Sequence, residues 1–106
     1  MRTTLKTTNF DHSAAIDALA EEKLIVPLKK LLADIDEKAD TLFDIEFELT
    51  TKHHRKGKIW RVEAQLALPH ISRELRAEAT GESLREAADI VKDTLLREIK
   101  KYKDRR

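Results

Sequence analysis

The side chains in this sequence best placed to do chemistry are cations. Lys52, His53, His54, Arg55, Lys56 and Lys58 fall within one short stretch. Arg97, Lys100, Lys101 and Lys103 crowd the C-terminus, and Lys23, Lys29 and Lys30 form a third group. Phosphate is the natural partner of such clusters, because each cation that neutralises a phosphate releases a condensed counterion. Histidines beside them can hydrogen-bond to phosphate or stack on a base. The clusters therefore point to a polyanion, and nucleic acid is the commonest one.

The net charge of +1 hides this pattern, because 21 basic residues offset 20 acidic ones. Residues 34–48 carry Asp34, Asp36, Glu37, Asp40, Asp44, Glu46 and Glu48 against Lys38 alone. Residues 49–62 carry Lys52, Arg55, Lys56, Lys58 and Arg61 with no acid. Charge sorted along the chain says more about a partner than its sum does.

Other chemistries have little support. The only glycines are Gly57 and Gly81, so no phosphate-cradling glycine loop or GxSxG elbow occurs. There is no cysteine, which removes thiolate catalysis, disulfides and Cys-based zinc sites, and fits a reducing cytoplasm. His53 and His54 are adjacent, and adjacent side chains on an extended segment point apart rather than chelate one metal. Nothing in the sequence brings His12 or His70 to them. The acids Asp44, Glu46 and Glu48 read as a solvated strand face. We expect no enzyme, cofactor, metal or small-molecule substrate. No run of about 18 apolar residues exists, so no membrane span is expected.

The elements that must position the cations follow from periodicity. At 106 residues the chain is one domain. Arg2 to Thr8 reads as a short strand. Ser13 or Asp11 can cap a helix over about 13–33, whose stripe includes Ile16, Ala20, Leu24, Leu28 and Leu32. Pro27 falls inside it, and we expect a kink there because the stripe continues in phase on both sides. Residues 34–41 read as an acidic connection that can hold a helical turn. Phe43, Ile45, Phe47 and Leu49 alternate with acids as a half-buried strand. Trp60, Val62, Ala64, Leu66 and Leu68 alternate likewise, with Trp60 as a core-edge anchor. Pro69 to Ser72 read as a turn. Leu75, Ala77 and Ala79 mark a last strand. Ser83 or Thr80 can cap a final helix over about 82–103, with the stripe Leu84, Ala87, Ala88, Val91, Leu95, Ile99 and Tyr102. The expected fold is α+β: a two-layer sandwich in the order β-α-β-β-β-α, with a four-stranded sheet and two helices on one face. The first crossover should leave its two strands parallel.

The stretch RVEAQLALPHISRELRAEATGESLREAADIVKDTLLREIKKYK resembles the second half of the ribosome hibernation-promoting factors. That family includes ribosome-associated inhibitor A and is also labelled sigma-54 modulation protein. Leu75-Arg76-Ala77-Glu78-Ala79 before the helix and Lys100-Lys101-Tyr102-Lys103 at its end carry the likeness. Asn9, a turn and the helix from Ala14 to Leu32 match the family's opening. The resemblance implies a cytoplasmic ribosome-binding domain over residues 1–106. It implies binding to small-subunit ribosomal RNA, occlusion of the channel for messenger and transfer RNA, and a monomer off the ribosome. It carries RNA contact to Arg97, Lys100, Lys101 and Lys103, and by a looser alignment to Lys23, Lys29 and Lys30. Arg85 stands where the family has an aromatic, and Thr94 where a lysine is common; Arg85 and Lys92 complete the candidate set. The resemblance implies the family's short form, without the second domain of its long members. A free-standing RNA-binding module and a protein adaptor using its charged sheet face are the rival readings.

Overall fold

The computed structural model describes residues 1–36, 41–51, 53–68 and 74–105. The chain forms strand β1 (Arg2–Thr8), helix α1 (Ala14–Ala20), a π-helical segment (Glu21–Ile25) and helix α2 (Val26–Asp36). Strands β2 (Leu42–Leu49), β3 (Trp60–Ala67) and β4 (Leu75–Gly81) follow, then helix α3 (Leu84–Arg105). The expected order and fold class are both present.

The sheet order is β1-β2-β3-β4. β1 pairs with β2 in parallel, as a crossover through a helix requires, and the other two pairings are antiparallel. Alternation sets the register: Leu5, Ile45, Ala64 and Ala77 stand in one row on the helix side. Beside it, Lys6, Glu46, Glu63 and Glu78 form a row on the open side.

One apolar cluster joins both helical stretches to the sheet through Leu24, Leu28, Leu32, Phe43, Phe47, Val62, Leu66, Val91, Leu95 and Ile99, all fully buried. The two helical stretches approach the strands differently. α3 lies close over β3 and β4, where Ala77, Gly81, Ala87 and Ala88 leave room for backbone. A Cβ on Gly81 would meet the Ala87 nitrogen at 3.0 Å. The α1–α2 stretch presents leucines toward phenylalanines, and those larger side chains hold it further from the strands.

The helix caps are local. The Ser13 hydroxyl accepts from Ile16 N–H at 3.4 Å, so Ser13 rather than Asp11 caps α1. Ser83 accepts from Glu86 N–H at 3.1 Å and caps α3, while Glu86 reaches back to Glu82 N–H at 3.4 Å.

Pro27 neither breaks the helix nor ends it; the path carries a π segment just before it. The Val26 N–H bonds back five residues to the Glu21 carbonyl. Two causes converge there. A buried stripe at Ala20, Leu24, Leu28 and Leu32 steps by four, and in a regular helix it would rotate by about 120° over twelve residues. A π-turn adds residues to one turn and brings the stripe back into line. Pro27 also has no N–H to give, and its ring would crowd the Lys23 carbonyl in a regular helix. Helical structure then continues to Asp36, a few residues past the expected end near 33 and within the stretch where the sequence allows a helical turn. The expected turn at 69–72 lies outside the described residues.

Trp60 is half-buried, as expected of a core-edge anchor, and meets Phe10 edge to face at a centroid distance of 5.3 Å. Phe10 is set there by Asn9, which takes a positive φ of 68° and donates its side-chain amide to the Leu49 carbonyl at 3.0 Å.

Candidate nucleic-acid interface

The loop between β2 and β3 carries the first cationic cluster. It is closed at its base by Thr50 N–H donating to the Ile59 carbonyl at 2.9 Å, with the Thr50 hydroxyl bonding the same oxygen. Gly57, at φ +94°, makes the turn that the backbone of a residue with a side chain would resist. His53, His54, Arg55, Lys56 and Lys58 are all exposed, and Lys52 lies outside the described residues. Among the described residues, Arg55, Lys56 and Lys58 enter no ion pair. No group of described histidine and acidic residues could hold a metal ion. His12 bonds Asp17 at 2.7 Å instead.

The second cluster lies at the other end of the molecule. Trp60 faces Gly81 across the sheet, so the loop sits by the start of α3. Lys100 and Lys101 are near the end of that helix, which spans about 33 Å. The molecule measures 46 Å along its longest axis. The clusters that the sequence suggested are thus distributed along the protein rather than gathered in one patch.

Contact with neighbours sorts the candidates further. Lys29, Lys30 and Lys100 are exposed and enter no ion pair among the described residues. Arg97 is exposed and, among the described residues, only donates to the Thr94 hydroxyl at 3.5 Å. Lys101 pairs with Glu98 one turn away at 3.4 Å and stays 62% exposed. Lys92 pairs with its neighbour Asp93 at 3.3 Å.

The other three are tied across the seam between the two helical stretches. Arg85 meets Glu22 at 3.3 Å, Lys23 meets Asp89 at 3.2 Å, and Lys103 meets Asp34 at 3.1 Å. Lys103 also donates to the Leu31 carbonyl. These partners lie more than sixty positions apart in sequence, so no local pattern could reveal them.

The open sheet face also differs from the sequence reading. Its acids are not simply solvated. Arg61, counted above with the basic stretch, lies among Glu46, Glu48, Glu63 and Glu78 and keeps only 19% of its side chain exposed. A hydrogen bond to Glu78 raises its pKa above the ordinary arginine value against the opposing effect of burial. A hydrogen bond from Arg76 holds the Glu63 carboxyl below its usual range. Thr4 and Thr8 donate to Asp44 and Glu46 at 2.5 and 2.6 Å. Arg61 and Arg76 on this face are thus engaged with its acids, while Lys6 and Asp44 remain exposed.

The family model for sigma 54 modulation protein / S30EA ribosomal protein matches residues 3–106. The chain belongs to this family. The resemblance carried by the LRAEA strand and the KKYK helix end is upheld. Among solved structures, the N-terminal domain of Thermus thermophilus Protein Y matches this S30EA-family chain with a TM-score of 0.66 and 25% identity. That match covers 96% of this chain and 99% of the other. A ribosomal subunit interface protein from Coxiella burnetii matches with a TM-score of 0.68 and 23% identity, over 98% of this chain and 99% of that one. The latter likeness speaks to the fold. No curated protein matches the sequence. No helix among the described residues is long and apolar enough to cross a membrane.

Proposed function

We propose that this S30EA-family chain is a single ribosome-binding domain that docks on small-subunit ribosomal RNA and holds ribosomes idle in the cytoplasm. It does so by occupying space that messenger and transfer RNA need. The observation that carries this reading is the set of exposed cations that enter no ion pair among the described residues: Lys29, Lys30 and Lys100 on the helices and Arg55, Lys56 and Lys58 in the loop. Family membership supplies the ribosome. Phosphate contacts give affinity without a sequence code, and the shape of the cleft supplies selectivity. Occlusion needs no bond made or broken, so the mechanism calls for no catalytic residue or cofactor. His53 and His54 lie in the same loop and can add hydrogen bonds to phosphate.

The rival readings fare worse. An adaptor would use the charge of the open sheet face, and the two arginines there, Arg61 and Arg76, are engaged with acids of that face. A double-stranded RNA-binding domain would lack the parallel strand β1, which is present here.

Co-sedimentation with purified ribosomal subunits tests the proposal. Wild-type protein should travel with the small subunit, and Lys29→Glu/Lys30→Glu/Lys100→Glu should remain unbound. If six phosphates are met, affinity should fall about 10³-fold between roughly 50 and 200 mM salt. Failure of the wild type to travel with any ribosomal particle, or a flat salt response, overturns it.

A further inference from the structure

Lys103 is the candidate cation whose surroundings least resemble those of a phosphate ligand. Its ammonium donates to the Leu31 carbonyl and lies 3.1 Å from Asp34 Oδ1, both on α2. Its side chain is only 25% exposed. Two of its three N–H donors are thus engaged within the protein. Lys100, one turn earlier on the same helix, is exposed and has no partner among the described residues.

The topology explains why a cation is needed there. β1 and β4 both end at the edge from which a helix departs, so α1–α2 and α3 run the same way and finish at the same end. Each helix C-terminus carries a partial negative charge, and Asp34 adds a full one. Two parallel helices side by side repel at such an end unless a cation stands between them. Lys103 stands there. To reach a phosphate it would have to leave both the Leu31 carbonyl and Asp34.

We propose that Lys103 is a positioning residue rather than an RNA contact: it clamps the end of α2 to α3. The helix that carries Lys29 and Lys30 is thereby held in register with the helix that carries Lys100. The Lys23–Asp89 and Arg85–Glu22 pairs lie along the same seam. The binding arm of the test rests on the function proposed above; the other arm does not.

Wild type, Lys103→Gln and Lys100→Gln are titrated with purified small ribosomal subunits at several salt concentrations. In parallel, hydrogen exchange is followed at the amides of the last turn of α2. Lys100→Gln should lower the slope of log affinity against log salt by about 0.7–0.9, with exchange as in wild type. Lys103→Gln should weaken binding several-fold at every salt concentration with the slope unchanged. It should also speed exchange in α2 by about fivefold, the scale of one partly exposed ion pair. Asp34→Asn should speed the same amides, and the double variant should add little to either single change. A fall in slope for Lys103→Gln, whatever the exchange does, overturns the proposal. So does unchanged exchange in α2. If wild-type protein does not bind subunits, the proposed function fails, and the exchange arm alone decides whether the clamp exists.

Discussion

Replacing Arg61 with methionine should destabilise the domain at neutral pH and much less in mild acid. Glu46, Glu63 and Glu78 stand in one row across β2, β3 and β4. Like charges directly opposite one another in a sheet repel. Arg61 lies in the next row and reaches across, with Nη1 3.6 Å from Glu46 and 3.2 Å from Glu48. Its Nη2 lies 2.7 Å from Glu78 and hydrogen-bonds Glu63. Arg76 supports the row from the other side, 2.5 Å from Glu63 and 3.5 Å from Glu78. Methionine keeps much of the apolar stem and removes the charge together with the hydrogen bonds to Glu48, Glu63 and Glu78. Exposed ion pairs contribute up to ~1 kcal/mol, and breaking a fully buried pair costs ~3–5 kcal/mol. Arg61 at 19% exposure lies between these limits, so we expect a loss of about 2 kcal/mol at pH 7, or roughly 10 °C in Tm.

The pH dependence has a definite sign. Glu63 titrates below its usual range in the folded protein, chiefly through the Arg76 hydrogen bond. A carboxyl lowered in this way contributes stability above its unfolded pKa, near 4.3, and loses it as pH falls through the folded value. Wild type should therefore weaken in acid. In Arg61→Met the crowded carboxylates lose a cation, and protonating them relieves repulsion instead. The gap between the two proteins should narrow to below ~1 kcal/mol near pH 4. Urea unfolding followed by circular dichroism measures it without adding ions that screen the cluster. A deficit under about 0.5 kcal/mol at pH 7, or one that persists undiminished at pH 4, would refute the reasoning, since the first is the ordinary scatter of surface substitutions.

Three further outcomes follow from packing and local geometry. Leu28→Ala removes a fully buried side chain from the first turn of α2, just after the π segment, and should cost ~2–5 kcal/mol in urea unfolding. Gly81→Ala brings a Cβ to 3.0 Å from the Ala87 nitrogen and 3.1 Å from the Ser83 carbonyl oxygen, both backbone; thermal melts should show a loss of ~1–3 kcal/mol. Ser83→Ala removes the α3 cap and should cost ~1 kcal/mol, with amide exchange rising first at Glu86, whose N–H the hydroxyl accepts.

Most of the fold was legible in the residues. Phe43, Ile45 and Phe47 alternate with acids, and the structure buries those three in β2. The α3 stripe from Leu84 to Ile99 is buried residue for residue. These patterns are legible because the side-chain periods of a strand and a helix are properties of the backbone alone. Pro27 was less so. A lone proline suggests a kink, but the step of four at Ala20, Leu24, Leu28 and Leu32 is the feature that matches the π segment.

The candidate site was legible only as a list. Residue types and clustering, with the family motifs, pointed to a polyanion and to the cations that could meet it. They could not distinguish Lys100, which has no partner among the described residues, from Lys103, which holds Asp34 and the Leu31 carbonyl. Nor could they show that Arg61 belongs with acids from three strands rather than with its basic neighbours in sequence. The physical reason is range. Periodicity and capping depend on residues a few positions apart, so they are written in the chain. Whether a charge remains available to a partner depends on which opposite charge the folded sheet or a second helix brings within about 4 Å, and only tertiary structure decides that.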